Sequence, residues 1–263
     1  MLTYVIAGAI ALAAASAQAA TVTPADLQGW TPANVRANGS VAITATYAPA
    51  GEQGSLEFNT HTLVNGQDKA DFAHSLNGTL GGLLDGGLSF DYLVDSSSTS
   101  PQHLAPALRL LFRNDAGKSG YLIWEDVYNG GSTLDSVDKD KWVANNILGG
   151  NFWMRTFSPG FTVEQFGVTL ADWAGGASFS GSYGLNANTQ ILGVEVGVGS
   201  GWGGNFNGAV DHVNVTFASG VGGVQANFEP LAVVPEPATW AMLIVGFGGV
   251  GVMMRRRTVL TAA

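Results

Sequence analysis

Gln190–Val198 (QILGVEVGV) and Ala209–Phe217 (AVDHVNVTF) alternate apolar with small or polar residues at a period of two. That period sends successive side chains to opposite faces of an extended chain, so each stretch reads as a β-strand with one buried face. Between them Gly199–Gly208 is loop chemistry. The same pattern recurs at Ser40–Tyr47, Ser55–Phe58, Leu88–Val94, Leu108–Phe112, Tyr121–Val127 and Phe152–Phe157, with Gly, Asn, Ser and Pro clusters such as Asp85-Gly86-Gly87 and Asn114–Gly117 between strands. About eight strands and no long helix predict an all-β fold, an antiparallel β-sandwich or jelly roll. Two segments differ. Thr162–Trp173 has partly helical spacing and predicts one short helix capping the sandwich, while residues 129–146 read as an exposed loop with a charged knot at Asp135, Asp138, Lys139, Asp140 and Lys141. No internal repeat and no second boundary occur, so residues 20–232 are expected to form one domain.

Composition narrows the chemistry. The 263 residues include 37 Gly, in line with a turn-rich β protein, and only 12% are charged, against about 25% in an average domain. With no Cys, disulfide scaffolds, thiolate metal sites and cysteine nucleophiles are excluded. Residues 20–234 carry 8 basic and 19 acidic side chains, a net of −11, which speaks against a nucleic-acid partner because phosphates demand a basic surface.

The apolar excess lies at the two ends. Residues 1–20 (MLTYVIAGAIALAAASAQAA) form an uncharged core closing on Ala17-Gln18-Ala19, the small-x-small pattern of signal peptidase, so a signal helix over 1–19 cleaved after Ala19 is expected. No basic residue precedes it. Ala238–Met254 is an uncharged 17-residue stretch, just long enough for a transmembrane helix, and Arg255-Arg256-Arg257 behind it orient the tail to the cytoplasm.

Before that stretch stands Pro235-Glu236-Pro237, two φ-fixed residues flanking one carboxylate, an extended segment suited to a protease cleft. Pro-Glu-Pro, apolar span and Arg cluster in that order, over 233–257, resemble the PEP-CTERM sorting signal of Gram-negative bacteria. The resemblance implies an exported protein that is held briefly in the inner membrane and processed by an exosortase, a membrane transpeptidase acting near Pro-Glu-Pro. It also implies a place at the cell surface or in an extracellular, exopolysaccharide-rich biofilm matrix. The stretch Gly199–Asp211 is similar to the penultimate hairpin of many PEP-CTERM ectodomains, which concerns fold alone.

Catalytic signatures are sparse. Gly199-Ser-Gly201-Trp-Gly203-Gly204 and Gly246-Phe-Gly248-Gly249-Val-Gly251 spell a dinucleotide fingerprint, but neither opens a helix after a strand. His61, His74, His103 and His212 contain no i, i+4 pair for a zincin helix and read as surface or turn residues, and no Gly-x-Ser-x-Gly elbow occurs. Glu57, Glu125 and Glu195 fall on predicted strands. Ile123 and Glu125 share one face, Trp124 and Asp126 the other, while Glu195 points away from Val194 and Val196 toward solvent. No pairing motif marks them as a glycosidase couple.

No cofactor is expected; a structural Ca²⁺ at Asp211 is the metal option considered, since the spacing Asp135-x-x-Asp138-x-Asp140 lacks the pattern of an EF-hand. Trp30, Trp124, Trp142, Trp153, Trp173 and Trp202 remain. Trp124 and Trp153 are expected in the core, and Trp202 and Trp142 are candidates for stacking on a glycan ring. The sequence thus predicts a non-enzymatic exported envelope or matrix protein, with a lectin-like carbohydrate-binding module as the alternative and glycan hydrolase as the second.

Overall fold

A computed structural model describes residues 19–62, 67–130, 136–157, 166–176, 183–199 and 201–231. Its strands are β1 (Ala20–Val22), β2 (Thr31–Arg36), β3 (Ser40–Thr44), β4 (Ser55–Thr62), β5 (Lys69–Thr79), β6 (Gly87–Val94), β7 (Ala107–Arg113), β8 (Ser119–Trp124), β9 (Val143–Asn146), β10 (Trp153–Thr156), β11 (Gln190–Gly199), β12 (Gly204–Thr216) and β13 (Val224–Phe228). Two short helices, α1 (Leu80–Leu84) and α2 (Leu170–Ala174), and a 3₁₀ turn at Asp126–Tyr128 interrupt them. The sandwich belongs to a compact unit ending at Pro230, and Leu231–Ala263 form a second unit. The expected signal helix, with Ala17, and the expected transmembrane helix 238–254 lie outside the described residues, among which no helix is long and apolar enough to cross a membrane.

The two stretches that decided the fold class sit at the middle of two different sheets. β11 is central in an antiparallel sheet ordered β10-β8-β7-β11-β5-β2. β12 is the spine of the other sheet, with β6 along one edge and β4 followed by β13 along the other. Next to these run β9 beside β6, β3 beside β4, and β1 beside β13, the last pair parallel. Alternate residues of both sheets meet in one core: Leu108, Leu110 and Phe112 of β7 and Val194, Val196 and Val198 of β11 from one side, and Phe90 of β6 and Phe206, Val210, Val213 and Val215 of β12 from the other. Hydrophobic burial between the inner faces is therefore the main source of stability, as the absence of disulfides requires.

All eight expected strands are present with shifted ends, and among the described residues the total rises to thirteen. The additional strands have weak signals for physical reasons. β2 is an edge strand with Pro32 and mostly exposed side chains, a place where proline is tolerated. β5 carries polar residues that are buried on its outer face, so its alternation does not register as apolar against polar. β9 lies inside the segment expected to be loop. The helix expected over Thr162–Trp173 begins only at Leu170, because Thr169 and Asp172 form a capping box there; residues 162–165 lie outside the described residues.

Candidate functional site

On the outer face of the β11 sheet, register rather than sequence proximity collects the polar residues. Trp153, Ile123, Arg109 and Glu195 pair in succession across β10, β8, β7 and β11. Alternation then puts Tyr121, Arg155, Lys69 and Asp71 on the same outer face, above a core formed by their neighbours. Together with Asn34, Arg36, Glu125, Phe157 and Trp202, most of these residues line an open groove of about 340 Å³.

Charge in this groove is dense and organised. Asp71 is fully buried and Glu195 is 4% exposed. Arg109 Nη1 donates to Asp71 Oδ1 (2.9 Å) and to Glu195 Oε1 (3.2 Å). Lys69 Nζ contacts Asp71 Oδ2 and lies 3.5 Å from Glu195 Oε1. The other Glu195 oxygen, Oε2, accepts from Asn34 Nδ2 (3.2 Å) and the Tyr121 hydroxyl (3.1 Å). Glu195 does point away from Val194 and Val196, but it is not in solvent. Long side chains from β2, β5, β7 and β8 close over it, and Gly197 leaves room for Asp71, whose Oδ1 would be 2.1 Å from any Cβ added there. Burial, with the Arg109 guanidinium alongside, pulls Lys69 down to about 7 against the attraction of Glu195, and burial pushes the Tyr121 hydroxyl up to about 12.

Aromatic rings form the groove's second component. Tyr121 and the half-exposed Phe157 meet edge-on at 4.9 Å, and Trp153 lies 5.9 Å from Phe166, which lies 4.5 Å from Tyr128. Trp153 is therefore not the core residue expected; it is partly buried on the outer face, its indole N–H donating to Glu125 Oε2 at 3.0 Å. Trp124 is in the core as expected, and Ile123 and Glu125 do share the opposite face. The strand ends at Trp124, so Asp126 starts the 3₁₀ turn instead of continuing the alternation.

Glu125 offers a test of the groove's polarity. Burial raises its carboxyl above the ordinary value, although Arg109 and the Trp153 N–H pull the other way. A raised folded value means that the ionised form is the costly one, so the cost exists at neutral pH and disappears as the pH falls toward 4. Glu125→Gln keeps an acceptor for Trp153 and is expected to raise the melting temperature at pH 7, with the gain vanishing near pH 4. An equal gain at both pH values would refute the assignment.

The remaining candidates separate. Trp202 lines the groove and stacks edge-on with Phe206 at 5.4 Å, whereas Trp142 precedes β9 on the other sheet and is not among the lining residues. In the charged segment Lys141 pairs with Asp138 at 2.7 Å, Lys139 reaches the Ser98 carbonyl and Asp140 accepts from the Ser96 N–H; Asp135 lies outside the described residues.

Asp211 is fully buried on β12, with Oδ1 accepting from the N–H groups of His212 (2.7 Å) and Phe228 (3.0 Å). Beside it His212, expected at the surface, lies between Asp91 and Glu52, each 2.7 Å from a ring nitrogen. The Asp91 hydrogen bond, against the cost of burial and with help from Glu52, lifts His212 to about 9, and burial lifts Asp211 to about 7. Sequence reasoning singled out Asp211 but passed over its partner Glu52, which lies 160 residues from His212, as it passed over Arg109, Lys69 and Asp71.

Pro235, Glu236, Pro237 and Arg255–Arg257 lie outside the described residues. No curated protein matches the chain at the sequence level. Among solved structures, the chain is similar to a family 22 carbohydrate-binding module of Clostridium thermocellum, with 12% identity over 75% of this chain and 92% of that one and a TM-score of 0.38. A family 11 module of the same organism gives 10% identity over 69% and 85%, with a TM-score of 0.35. A further carbohydrate-binding module of the β-sandwich superfamily gives 14% identity and a TM-score of 0.35, and the chain covers 74% of its own length but only 62% of that structure. The PEP-CTERM protein-sorting motif matches residues 233–257, and this chain therefore carries a PEP-CTERM sorting signal following an all-β sandwich.

Proposed function

We propose that the protein is an exported, non-enzymatic glycan-binding module of a Gram-negative cell envelope or matrix, delivered by its PEP-CTERM signal and binding polysaccharide along the outer groove of the β11 sheet. In this reading signal peptidase removes residues 1–19 at Ala17-Gln18-Ala19. The span 238–254 holds the chain in the inner membrane with Arg255, Arg256 and Arg257 on the cytoplasmic side, and an exosortase then cuts near Pro235-Glu236-Pro237. The observation that carries the glycan assignment is the alignment of Trp153, Tyr121, Phe157 and Trp202 in one open groove with Asn34, Arg36 and Arg155. Aromatic faces supply stacking surface for sugar rings and the polar side chains supply hydroxyl partners.

Hydrolysis is the weaker reading. Both groove carboxylates are on the correct face, but an ionised carboxylate has about four lone-pair positions, and four protein donors already surround Glu195. Acting as nucleophile or base would require that net to open. A glycan array with the purified protein tests binding, and reducing-sugar release from the bound polysaccharide tests hydrolysis; release at an enzymatic rate overturns the non-enzymatic reading.

Sorting has its own test. Replacing Pro235, Glu236 and Pro237 together by Ala is expected to leave nearly all of the protein in the membrane fraction, at the mass of the uncut C-terminal segment. Unchanged release and mass would remove the processing role from this tripeptide.

A further inference from the structure

The β12 sheet has a second constellation that the groove does not use. Asp91 of β6 is paired directly with Asp211 of β12, two carboxylates opposed across the strands where like charge is unfavourable. The register shifts just there, between Asp211 and Asn214, and His212 takes a left-handed φ of 48° at the irregularity. This turn brings its ring between Asp91 and Glu52, the latter from the segment joining β3 to β4. Two carboxylate oxygens in the cluster, Asp211 Oδ2 and Glu52 Oε2, are buried without a hydrogen-bond partner, and the Asp211 side chain is wholly inaccessible to solvent. Ligand atoms of Glu52, Asp211 and His212 all lie within 4.8 Å of one another. Unpartnered buried carboxylate oxygens around an imidazole are costly unless a cation sits among them.

We propose that Glu52, Asp211 and His212 Nε2 bind one divalent transition ion of the zinc type, with Asp91 as a positioning residue. Asp91 Oδ2, 2.7 Å from Nδ1, holds that nitrogen as the donor, so the ion displaces only the proton that Nε2 shares with Glu52 Oε1 at 2.7 Å and takes the lone pair this frees beside the two carboxylates. An imidazole nitrogen with two carboxylates suits zinc, whereas calcium selects an all-oxygen shell, so this inference replaces the calcium expected at Asp211. Ligand distances of about 2.0–2.2 Å require the Glu52 carboxylate, 2.7 Å from Nε2, to move off that nitrogen and admit the ion, which the loop position of Glu52 permits. The ion would fasten the β3–β4 segment to the centre of the sheet and to the start of Glu229, whose carboxylate already receives the Gln53 N–H at 2.9 Å.

The full chain, purified in mild detergent and stripped with EDTA, is titrated with ZnCl₂ by calorimetry, with CaCl₂ in parallel. One Zn²⁺ per chain, a higher melting temperature with zinc and no comparable calcium binding are expected. His212→Asn, chosen because Asn tolerates a positive φ, should abolish zinc binding; Glu52→Gln, at a more accessible position, should do the same with the fold intact by circular dichroism. Asp91→Asn should weaken binding about 10–100-fold. Absence of zinc binding in the folded wild type, calcium binding tighter than zinc, or zinc binding unaffected by Glu52→Gln would each overturn the proposal.

Discussion

Arg109→Met will destabilise the sandwich by about 3 kcal/mol, the lower part of the range for removing one partner of a buried ionic cluster. Arg109 Nη1 donates to both Asp71 and Glu195 within hydrogen-bond distance, and Met preserves most of its apolar stem. Without the guanidinium, two buried carboxylates face a single Lys69. The loss stays below the top of the range because Arg109 itself depresses Lys69, so its removal lets Lys69 hold its proton more firmly.

That compensation has a pH signature. In the wild type Lys69 sits near 7 folded against 10.5 unfolded, so between those values the unfolded chain binds more protons and stability rises with pH. In Arg109→Met this rise should shrink. The charge-balanced double replacement Arg109→Met, Glu195→Gln should recover a large part of the loss, because it removes the uncompensated charge together with its partner. Urea denaturation of the wild type, the two single variants and the double variant from pH 6 to 9 measures all of this. Losses that simply add in the double variant would show that the cluster is not energetically coupled.

The legibility of the fold and of the groove differs for a reason visible in β11. Its inward residues, Val194, Val196 and Val198, announce themselves by period two, since a core accepts only apolar side chains. Its outward residue Glu195 obeys the same period, and alternation alone cannot say whether an outer face is wet. The answer depends on Arg109, Lys69, Tyr121 and Asn34, which reach Glu195 from other strands through sheet register. Trp153 misled for the complementary reason: a large apolar ring on a strand fits either face, and what decides is the Glu125 acceptor two strands' worth of sequence away. Trp202 has the same ambiguity: a Trp among Gly and Asn reads as loop, yet it is partly buried against the core beside Phe206 of β12 while still lining the groove. The sorting signal needs no tertiary contact at all; its three parts are contiguous, which is why it could be read from spelling and order.

Trp153→Ala will weaken polysaccharide binding by about 2 kcal/mol, roughly 30-fold in Kd, the scale of an aromatic hot spot. The indole is held before any ligand arrives: its N–H is tied to Glu125 and its ring lies near Phe166, so little rotamer entropy is lost on stacking. Because the side chain is only partly buried, the variant should remain folded, with its strand register set by the Met154 side chain beneath. The groove also predicts which polysaccharides bind. Residues 20–234 have eight basic side chains and four of them, Arg36, Lys69, Arg109 and Arg155, line this one groove of an otherwise acidic protein. Lys69 and Arg109 are committed to Asp71 and Glu195, whereas Arg36 and Arg155 are exposed and form no ion pair among the described residues. Carboxylated glycans should therefore bind more tightly than neutral ones, and that advantage should fade with added salt as the exposed charges are screened. Replacing Arg36 and Arg155 together by Ala should remove the preference for acidic glycans while leaving neutral ones bound, and Trp153→Ala should weaken both. Binding that survives Trp153→Ala but is lost in Trp142→Ala would move the site to the opposite sheet and end the groove assignment.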